Sequence, residues 1–271
     1  MKLKITSTPY IIWMIIFIIV PMALVFLFAF TDITVRFTLE NIISVTNYSI
    51  VFLRSIGLGA IATFICLLLG YPMAYFLSKV VPQKQNFIII LLMLPMWMNF
   101  LLRTYAWMTI LENNGLINRF LTFIGFRPIV MINTSGAVVL GMVYNFLPYM
   151  ILPIYTIISK IDKRIIEAAQ DLGASRRKVF SKVIFPLTIP GMISGVTMVF
   201  VPAVSTFIIS KMLGGGANIL IGDLIEMQFL GSTYNPNLGS AISLVLMILI
   251  IICMGIMNLF DHEENSGGVM I

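Results

Sequence analysis

Two acidic residues, Asp223 and Glu226, stand within the mostly apolar run from residue 219 to residue 230. Their three-residue spacing places both side chains on one face of a helix. Such a pair could bind a cationic group, because an unpaired charge at mid-bilayer costs roughly 2.5–3.5 kcal/mol even on mild scales and therefore needs a partner. The simpler alternative is that both residues belong to an outer loop and form ion pairs with Lys211.

Aromatic side chains are a second group that could hold a cation, since ammonium groups bind over aromatic faces with about 0.5–2 kcal/mol each. The candidates lie in or near two apolar runs: Trp97, Tyr105, Trp107, Tyr144 and Tyr149. Glu112 closes the first of these runs and joins the candidate path. Trp and Tyr near span ends also serve as interfacial anchors, and Glu112 and Arg103 are compatible with facing water or lipid headgroups.

Residues suited to catalysis or metal binding are sparse. His262 is the single histidine and lies in the polar tail, whereas Cys66 and Cys253 fall inside separate apolar runs. One His and two separated Cys are a poor basis for a zinc site, and such cysteines are typical of packing rather than of a disulfide. The sequence also contains no G-x-x-x-x-G-K-[ST] phosphate loop. We therefore predict no catalytic residue and no metal site in this chain.

The composition indicates an integral membrane protein. Hydrophobic residues make up 59% of the 271 positions and charged residues only 10%, whereas soluble domains are roughly 45–50% apolar and about 25% charged. The net charge of +6 is not a nucleic-acid signal here, because Lys and Arg of membrane proteins gather on cytoplasmic loops.

Six apolar runs are long enough to cross a bilayer, which needs roughly 20 residues. They comprise residues 10–30, 55–77, 86–111, 135–158, 187–209 and 240–260. An even number of spans places both termini on one side, and eleven of the 17 Lys and Arg residues fall on that side. The positive-inside rule assigns it to the cytoplasm. Small residues along the second run predict close packing against other helices.

The most highly charged interruption of the apolar sequence lies between the fourth and fifth runs. Asp162 can cap a helix over residues 163–172, which Gly173 ends in the left-handed region. Ser175 can cap a second helix over residues 176–185, and the proline that follows breaks it. The segment is therefore predicted to be a helix, a sharp turn and a helix at the membrane surface.

The first of these helices carries a candidate docking surface. Ala168 and Ala169 leave a smooth patch beside Glu167, whose carboxylate can accept hydrogen bonds from an arginine of a partner protein. The alternative is an amphipathic element that lies on the membrane without any partner.

The order of residues in this segment resembles the EAA loop of ABC importer permeases. Glu167-Ala168-Ala169 is followed after three residues by Gly173, and after nine more by the sequence VIFP, in which Val and Phe stand where the family has Ile and Leu. The resemblance implies an all-α integral membrane protein with six transmembrane helices, the ABC type-1 permease fold and a cytoplasmic coupling helix. It also implies that Glu167, Ala168, Ala169 and Gly173 contact an ATPase subunit.

Two further stretches narrow the resemblance. The sequence PMWMNFLLRTYAW at residues 95–107 resembles the third span of spermidine/putrescine permeases, and residues 237–241 are similar to the start of their last span. The chain looks closest to the B-type subunit of that family. The implied organisation is an N-terminal transmembrane helix and outer loop at 1–49, a permease module at 50–260 with the coupling loop at 161–186, and a cytoplasmic tail at 261–271.

The resemblance further implies a bacterial inner-membrane subunit that imports polyamines with energy from outside the chain. Its expected partners are a second permease, two copies of an ATPase that uses ATP and Mg, and an extracellular or periplasmic polyamine-binding protein. The chain itself is expected to bind no cofactor and no nucleic acid. Alternatives are a permease for another small solute such as iron(III), an autonomous channel or secondary transporter, which would show inverted repeats or mid-span charges, and a membrane enzyme.

Overall fold

The computed structural model describes residues 9–32, 34–216, 218–231 and 233–267, with side chains described through position 257. All regular elements in these ranges are helices, as predicted. They are α1 (Pro9–Ala29), α2 (Glu40–Lys79), α3 (Pro82–Trp97), α4 (Phe100–Leu111), α5 (Leu116–Phe123), α6 (Ser135–Lys160), α7 (Lys163–Asp171), α8 (Arg176–Leu187), α9 (Ile189–Ser205), α10 (Ile208–Leu213), α11 (Ile221–Leu230) and α12 (Pro236–Gly267).

The described helices supply between four and six membrane spans. The helices α1, α2, α6 and α12 are each long and apolar enough to cross a bilayer. Two bent pairs raise the number to six, which matches the prediction: α3 meets α4 and α5 at 86°, and α8 meets α9 at 57°.

The third run, which Pro95, Asn99 and Arg103 interrupt in the sequence, is not a single helix in the structure. The run over residues 86–111 breaks after Trp97, where Met98 and Asn99 adopt extended backbone conformations. Pro95 lacks a backbone donor near the end of α3, and the Asn99 side chain accepts the N–H groups of Leu101 and Leu102 at 2.8 and 3.4 Å. This cap starts α4 in a new direction.

Three other predicted boundaries differ from the structure. The fifth run does not reach residue 209 as one helix, because α9 ends at Ser205 and an extended Thr206 separates it from α10. The boundary at residues 49 and 50 falls inside α2, just after a 3₁₀ turn at Val45–Tyr48. The tail predicted from residue 261 begins as a continuation of α12, which reaches Gly267. Residues 261–266 contain no glycine or proline that would interrupt the helix.

The core forms where α2, α6 and α9 cross, and α6 is the most enclosed of the spans. Small residues make this crossing possible, as predicted for α2. A Cβ atom placed on Gly195 would lie 2.8 Å from the Met150 sulfur and 3.2 Å from its carbonyl oxygen, and one on Gly70 would lie 2.9 Å from the Met150 side chain. Met150 itself is fully buried. The two glycines therefore let α2 and α9 approach α6 from either side.

We expect Gly195→Val to destabilise the bundle by about 1–3 kcal/mol, because the added atoms overfill a packed contact between α9 and α6. The measurement is the thermal unfolding midpoint of the purified protein in detergent. Gly57→Val is the matched control, since a Cβ atom at Gly57 meets nothing within 4 Å. Equal midpoints for the two variants would contradict the close helix contact.

Candidate functional site

The helix α7 begins at Lys163, as predicted, and ends at Asp171, one residue before the predicted end. The Asp162 carboxylate accepts the Arg164 N–H at 2.9 Å, which caps the first turn. Gly173 has a φ of +80° and its N–H donates to the Gln170 carbonyl at 2.8 Å. This left-handed turn redirects the chain within two residues into α8, so that α7 and α8 form the predicted helix, turn and helix.

The helix α7 stands clear of the rest of the bundle. None of its residues is buried, and Glu167, Ala168 and Gly173 are all exposed, while Ala169 is half-buried. Leu172, which follows the last turn, is 89% exposed. The Glu167 carboxylate is therefore accessible to a partner protein.

The helix α8 is anchored in the bundle, in contrast to α7. Val179 and Ile184 are buried. Residues Phe180–Ile184 form a π-helical turn, and the helix continues through Pro186 to Leu187 instead of ending at the proline. The extra residue of a π turn shifts the register of the helix, and the chain bends only at Thr188.

An aromatic cluster joins this bend to α2. The Tyr71 hydroxyl lies 3.1 Å from the Thr188 hydroxyl, and Thr188 is fully buried. Ring centroids of Tyr71 and Phe185 are 5.7 Å apart, and those of Tyr75 and Phe180 are 5.2 Å apart. Aromatic packing of this kind is rigid as well as apolar. A displacement of α8 must therefore move α2.

The acidic pair lies in a different region, near the start of α2. Asp223 and Glu226 both lie on α11 and line one cavity of about 260 Å³ together with Lys211, so the predicted shared face is confirmed. The Lys211 ammonium donates to both oxygens of Glu226, at 2.8 and 2.9 Å. The alternative interpretation, an ion pair with Lys211, is therefore correct for Glu226. Among the described residues, Asp223 forms no such pair.

Asp223 has different partners from Glu226. Its Oδ2 atom accepts the Leu220 N–H at 2.8 Å, at the start of α11. Its Oδ1 atom is buried and has no hydrogen-bond partner among the described residues. Burial raises the pKa of the Asp223 carboxyl, against the opposing effects of the Leu220 N–H and of the nearby Ser210 hydroxyl, which donates to the Phe207 carbonyl at 2.9 Å. The result is a carboxylate with one free oxygen in a lined cavity.

Sequence reasoning missed Ser55, which positions this cavity. The Ser55 hydroxyl accepts the Ile221 N–H at 2.8 Å and is fully buried. The first turn of α11 is thereby fixed to α2 across 166 residues of sequence. A serine opening an apolar run could have been noticed, but its partner could not, because nothing local indicates which distant N–H it accepts.

The aromatic candidates do not form one site. Trp107 and Tyr144 meet edge to face with centroids 5.3 Å apart, and both line an apolar groove of about 750 Å³ between α2, α4 and α6. Trp97 and Tyr105 are exposed. Tyr149 is also exposed, and in the described part of the chain it has no ring contact with the first pair.

The two charged residues near the aromatic candidates differ in exposure. Glu112 is exposed and ends α4, as the alternative interpretation allowed. Arg103 is buried instead of facing water or headgroups, with its guanidinium carbon 5.8 Å from the Phe100 ring centroid. Thr104, the residue after Arg103, is fully buried, so this part of α4 faces the bundle. The composition of the sequence gave no reason to expect a buried cation there.

The chain matches a known protein family over nearly its whole length. The family described as "Binding-protein-dependent transport system inner membrane component" matches residues 4–263. The chain is 40% identical to the spermidine/putrescine transport system permease protein PotB of Haemophilus influenzae over 256 residues, covering 91% of this chain and 89% of that protein. It is 38% identical to PotB of Escherichia coli over 257 residues, covering 91% and 92%.

Solved structures share the fold at low sequence identity. A chain of a bacterial ABC transporter involved in the import of the acidic polysaccharide alginate superposes with a TM-score of 0.79 at 17% identity, covering 97% of this chain and 95% of that one. A chain of the MetNI methionine ABC transporter in an inward-facing conformation gives a TM-score of 0.55 at 14% identity, covering 80% and 94%.

Proposed function

The chain belongs to the family of binding-protein-dependent transport system inner membrane components, and from this premise we propose that it is the permease subunit that passes polyamines into the bacterial cell. The observation that carries the substrate class is the 40% identity to a spermidine/putrescine permease over nearly the full length of both chains. The shared fold with ABC transporter chains supports the transport mechanism.

The proposed complex contains a second permease, two ATPase subunits and a polyamine-binding protein outside the membrane. The energy is supplied by ATP and Mg on the ATPase subunits, because this sequence has no phosphate loop. The family description itself refers to a binding protein. The chain acts by moving as a body against the second permease, without a cofactor of its own.

The proposed orientation places both termini and the α7–α8 segment in the cytoplasm. This orientation rests on the positive-inside rule, because eleven of the 17 Lys and Arg residues lie on the cytoplasmic side in the six-span topology. The cavity that contains Asp223 and Glu226 then opens on the outer side. Substrate released by the binding protein would meet these carboxylates and that of Glu112, which follows the third span on the same side, before it reaches the aromatic positions Trp97, Tyr105, Trp107, Tyr144 and Tyr149.

The proposed coupling surface consists of Glu167, Ala168, Ala169 and Gly173. Its exposure on α7 and the anchoring of α8 through the aromatic cluster support this role. When the ATPase subunits close, they would carry α7 with them, and the buried contact between Tyr71 and Thr188 would transfer that displacement to α2.

Reconstitution tests the function directly. The complex in liposomes, supplied with binding protein and internal ATP, is expected to take up labelled spermidine or putrescine and to leave ferric iron outside. The soluble ATPase should remain bound to this chain in a pull-down, which an autonomous channel would not require. Uptake of ferric iron without uptake of either polyamine would contradict the proposed substrate class.

We expect Gly173→Val to reduce uptake at least tenfold, because a side chain at positive φ costs about 1–2 kcal/mol and would change the turn that directs α7. Gly125→Val is the matched control: Gly125 has a φ of +92°, and a Cβ atom at either glycine meets nothing within 4 Å. Both variants carry the same local strain, but only Gly173 adjoins α7. Equal uptake by the two variants would contradict the role of the turn.

A further inference from the structure

Lys211 holds one of the two carboxylates in the cavity. Its primary ammonium donates to both oxygens of Glu226, and a primary ammonium is a point charge with three hydrogen-bond donors and no acceptor. The end of a polyamine has the same chemical group. The Lys211 head therefore occupies the position that a substrate ammonium at Glu226 would need.

The second carboxylate is not paired with Lys211 among the described residues. Asp223 is only 7% exposed and lines the same cavity as Glu226. Its Oδ1 atom has no hydrogen-bond partner in the described part of the chain. When Asp223 is ionised, two carboxylates and one ammonium leave this cavity with an excess of one negative charge. A buried carboxylate oxygen without a donor is costly, so the cavity favours one additional cation.

We propose that Lys211 is an internal competitor of the substrate: a polyamine ammonium binds between Asp223 and Glu226 and displaces the Lys211 ammonium from Glu226. This inference rests on the proposed function and names a residue that sets the affinity of its outer subsite. It requires a primary ammonium, because the incoming group must replace the hydrogen bonds that Lys211 gives up.

Displacement of Lys211 is physically inexpensive. The Lys211 side chain is 61% exposed, whereas that of Glu226 is 23% exposed, so the ammonium can return to water on a flexible four-carbon stem. Ion pairs with an exposed member contribute little to stability. A neutral or anionic solute cannot satisfy the two carboxylates, so the exchange selects for cations.

The test is equilibrium binding of labelled spermidine to the assembled complex in detergent without the binding protein. Lys211→Gln removes the competitor and is expected to bind spermidine about two- to fivefold more tightly than the wild type. Lys211→Arg is expected to bind it more weakly than the wild type, since a guanidinium holds a carboxylate through two parallel hydrogen bonds. Lys84→Gln controls for the lost charge, because Lys84 is exposed and lies beyond the opposite end of α2.

A merely structural Lys211 would give the opposite result. If the ion pair only stabilised α10 against α11, neither substitution would strengthen spermidine binding. Lys211→Gln, which loses the ion pair, would then bind spermidine no more tightly than Lys211→Arg, which keeps it. Unchanged or weakened spermidine binding by Lys211→Gln overturns the inference. Competition provides a second measurement: excess unlabelled putrescine, which has primary ammonium groups, should displace labelled spermidine, and tetramethylammonium, which donates no hydrogen bond, should not.

Failure of the inference is distinguishable from failure of the proposed function. A wild-type complex that takes up no polyamine in liposomes refutes the function itself. A complex that takes up polyamine, but whose Lys211→Gln variant binds spermidine no more tightly than the wild type, refutes only the role of Lys211.

Discussion

Charge reversal at Glu167 is expected to abolish retention of the ATPase subunit and, with it, ATP-dependent uptake. Glu167 is exposed on a helix that buries none of its own residues, so its carboxylate can pair with a cation of a partner protein. Loss of one member of a desolvated charge pair at an interface costs about 2–5 kcal/mol, which corresponds to roughly 30-fold or more in affinity. Glu167→Lys also adds a repulsive charge. Co-purification of the ATPase and uptake in liposomes are the measurements.

The control for this variant is Glu40→Lys, which makes the same charge change on an exposed residue at the start of α2. It is expected to retain the ATPase at the wild-type level. If Glu167→Lys co-purified as much ATPase as Glu40→Lys and imported as fast, α7 would not be the coupling surface.

The second large effect is expected from neutralising the cavity. Asp223→Asn combined with Glu226→Gln removes both negative charges while preserving shape, and hydrogen bonds to charged groups contribute about 1.5–3 kcal/mol each. We therefore expect polyamine uptake to fall at least tenfold. The amide oxygen of Asn can still accept the N–H of Leu220, now at 2.8 Å from Oδ2, so the start of α11 should be retained.

Assembly separates this result from misfolding. The double variant should co-purify with the second permease and the ATPase, and should unfold at nearly the wild-type temperature. Glu40→Gln, which neutralises an exposed carboxylate at the same end of α2, should import normally. Normal uptake by the double variant would remove Asp223 and Glu226 from the path.

The features predicted correctly from sequence are those with local causes. The cap at Asp162, the turn at Gly173 and the cap at Ser175 each depend on residues within a few positions. The membrane spans likewise follow from the length of apolar runs. The shared face of Asp223 and Glu226 follows from helical spacing alone.

The features that sequence reasoning could not give depend on distant contacts or on competing local signals. Tyr71 and Thr188 are 117 positions apart, and no periodicity links them. The break in the third run lies at two of the residues that interrupt it in the sequence, Pro95 and Asn99, but the sequence does not give the 86° angle between its two parts. Arg103 is buried although charged residues are seldom buried without a partner, which only its tertiary surroundings can decide.

The unbroken helix between Ser55 and Tyr71 has a mechanical consequence. Ser55 holds the first turn of α11, and Tyr71 holds the bend at Thr188, over a length of roughly 24 Å at 1.5 Å per residue. Along such a stiff lever arm, a tilt of about 5° displaces one end by roughly 2 Å. That displacement exceeds the tolerance of a hydrogen bond, so a small swing driven at the Tyr71 end is enough to make or break polar contacts at the Ser55 end.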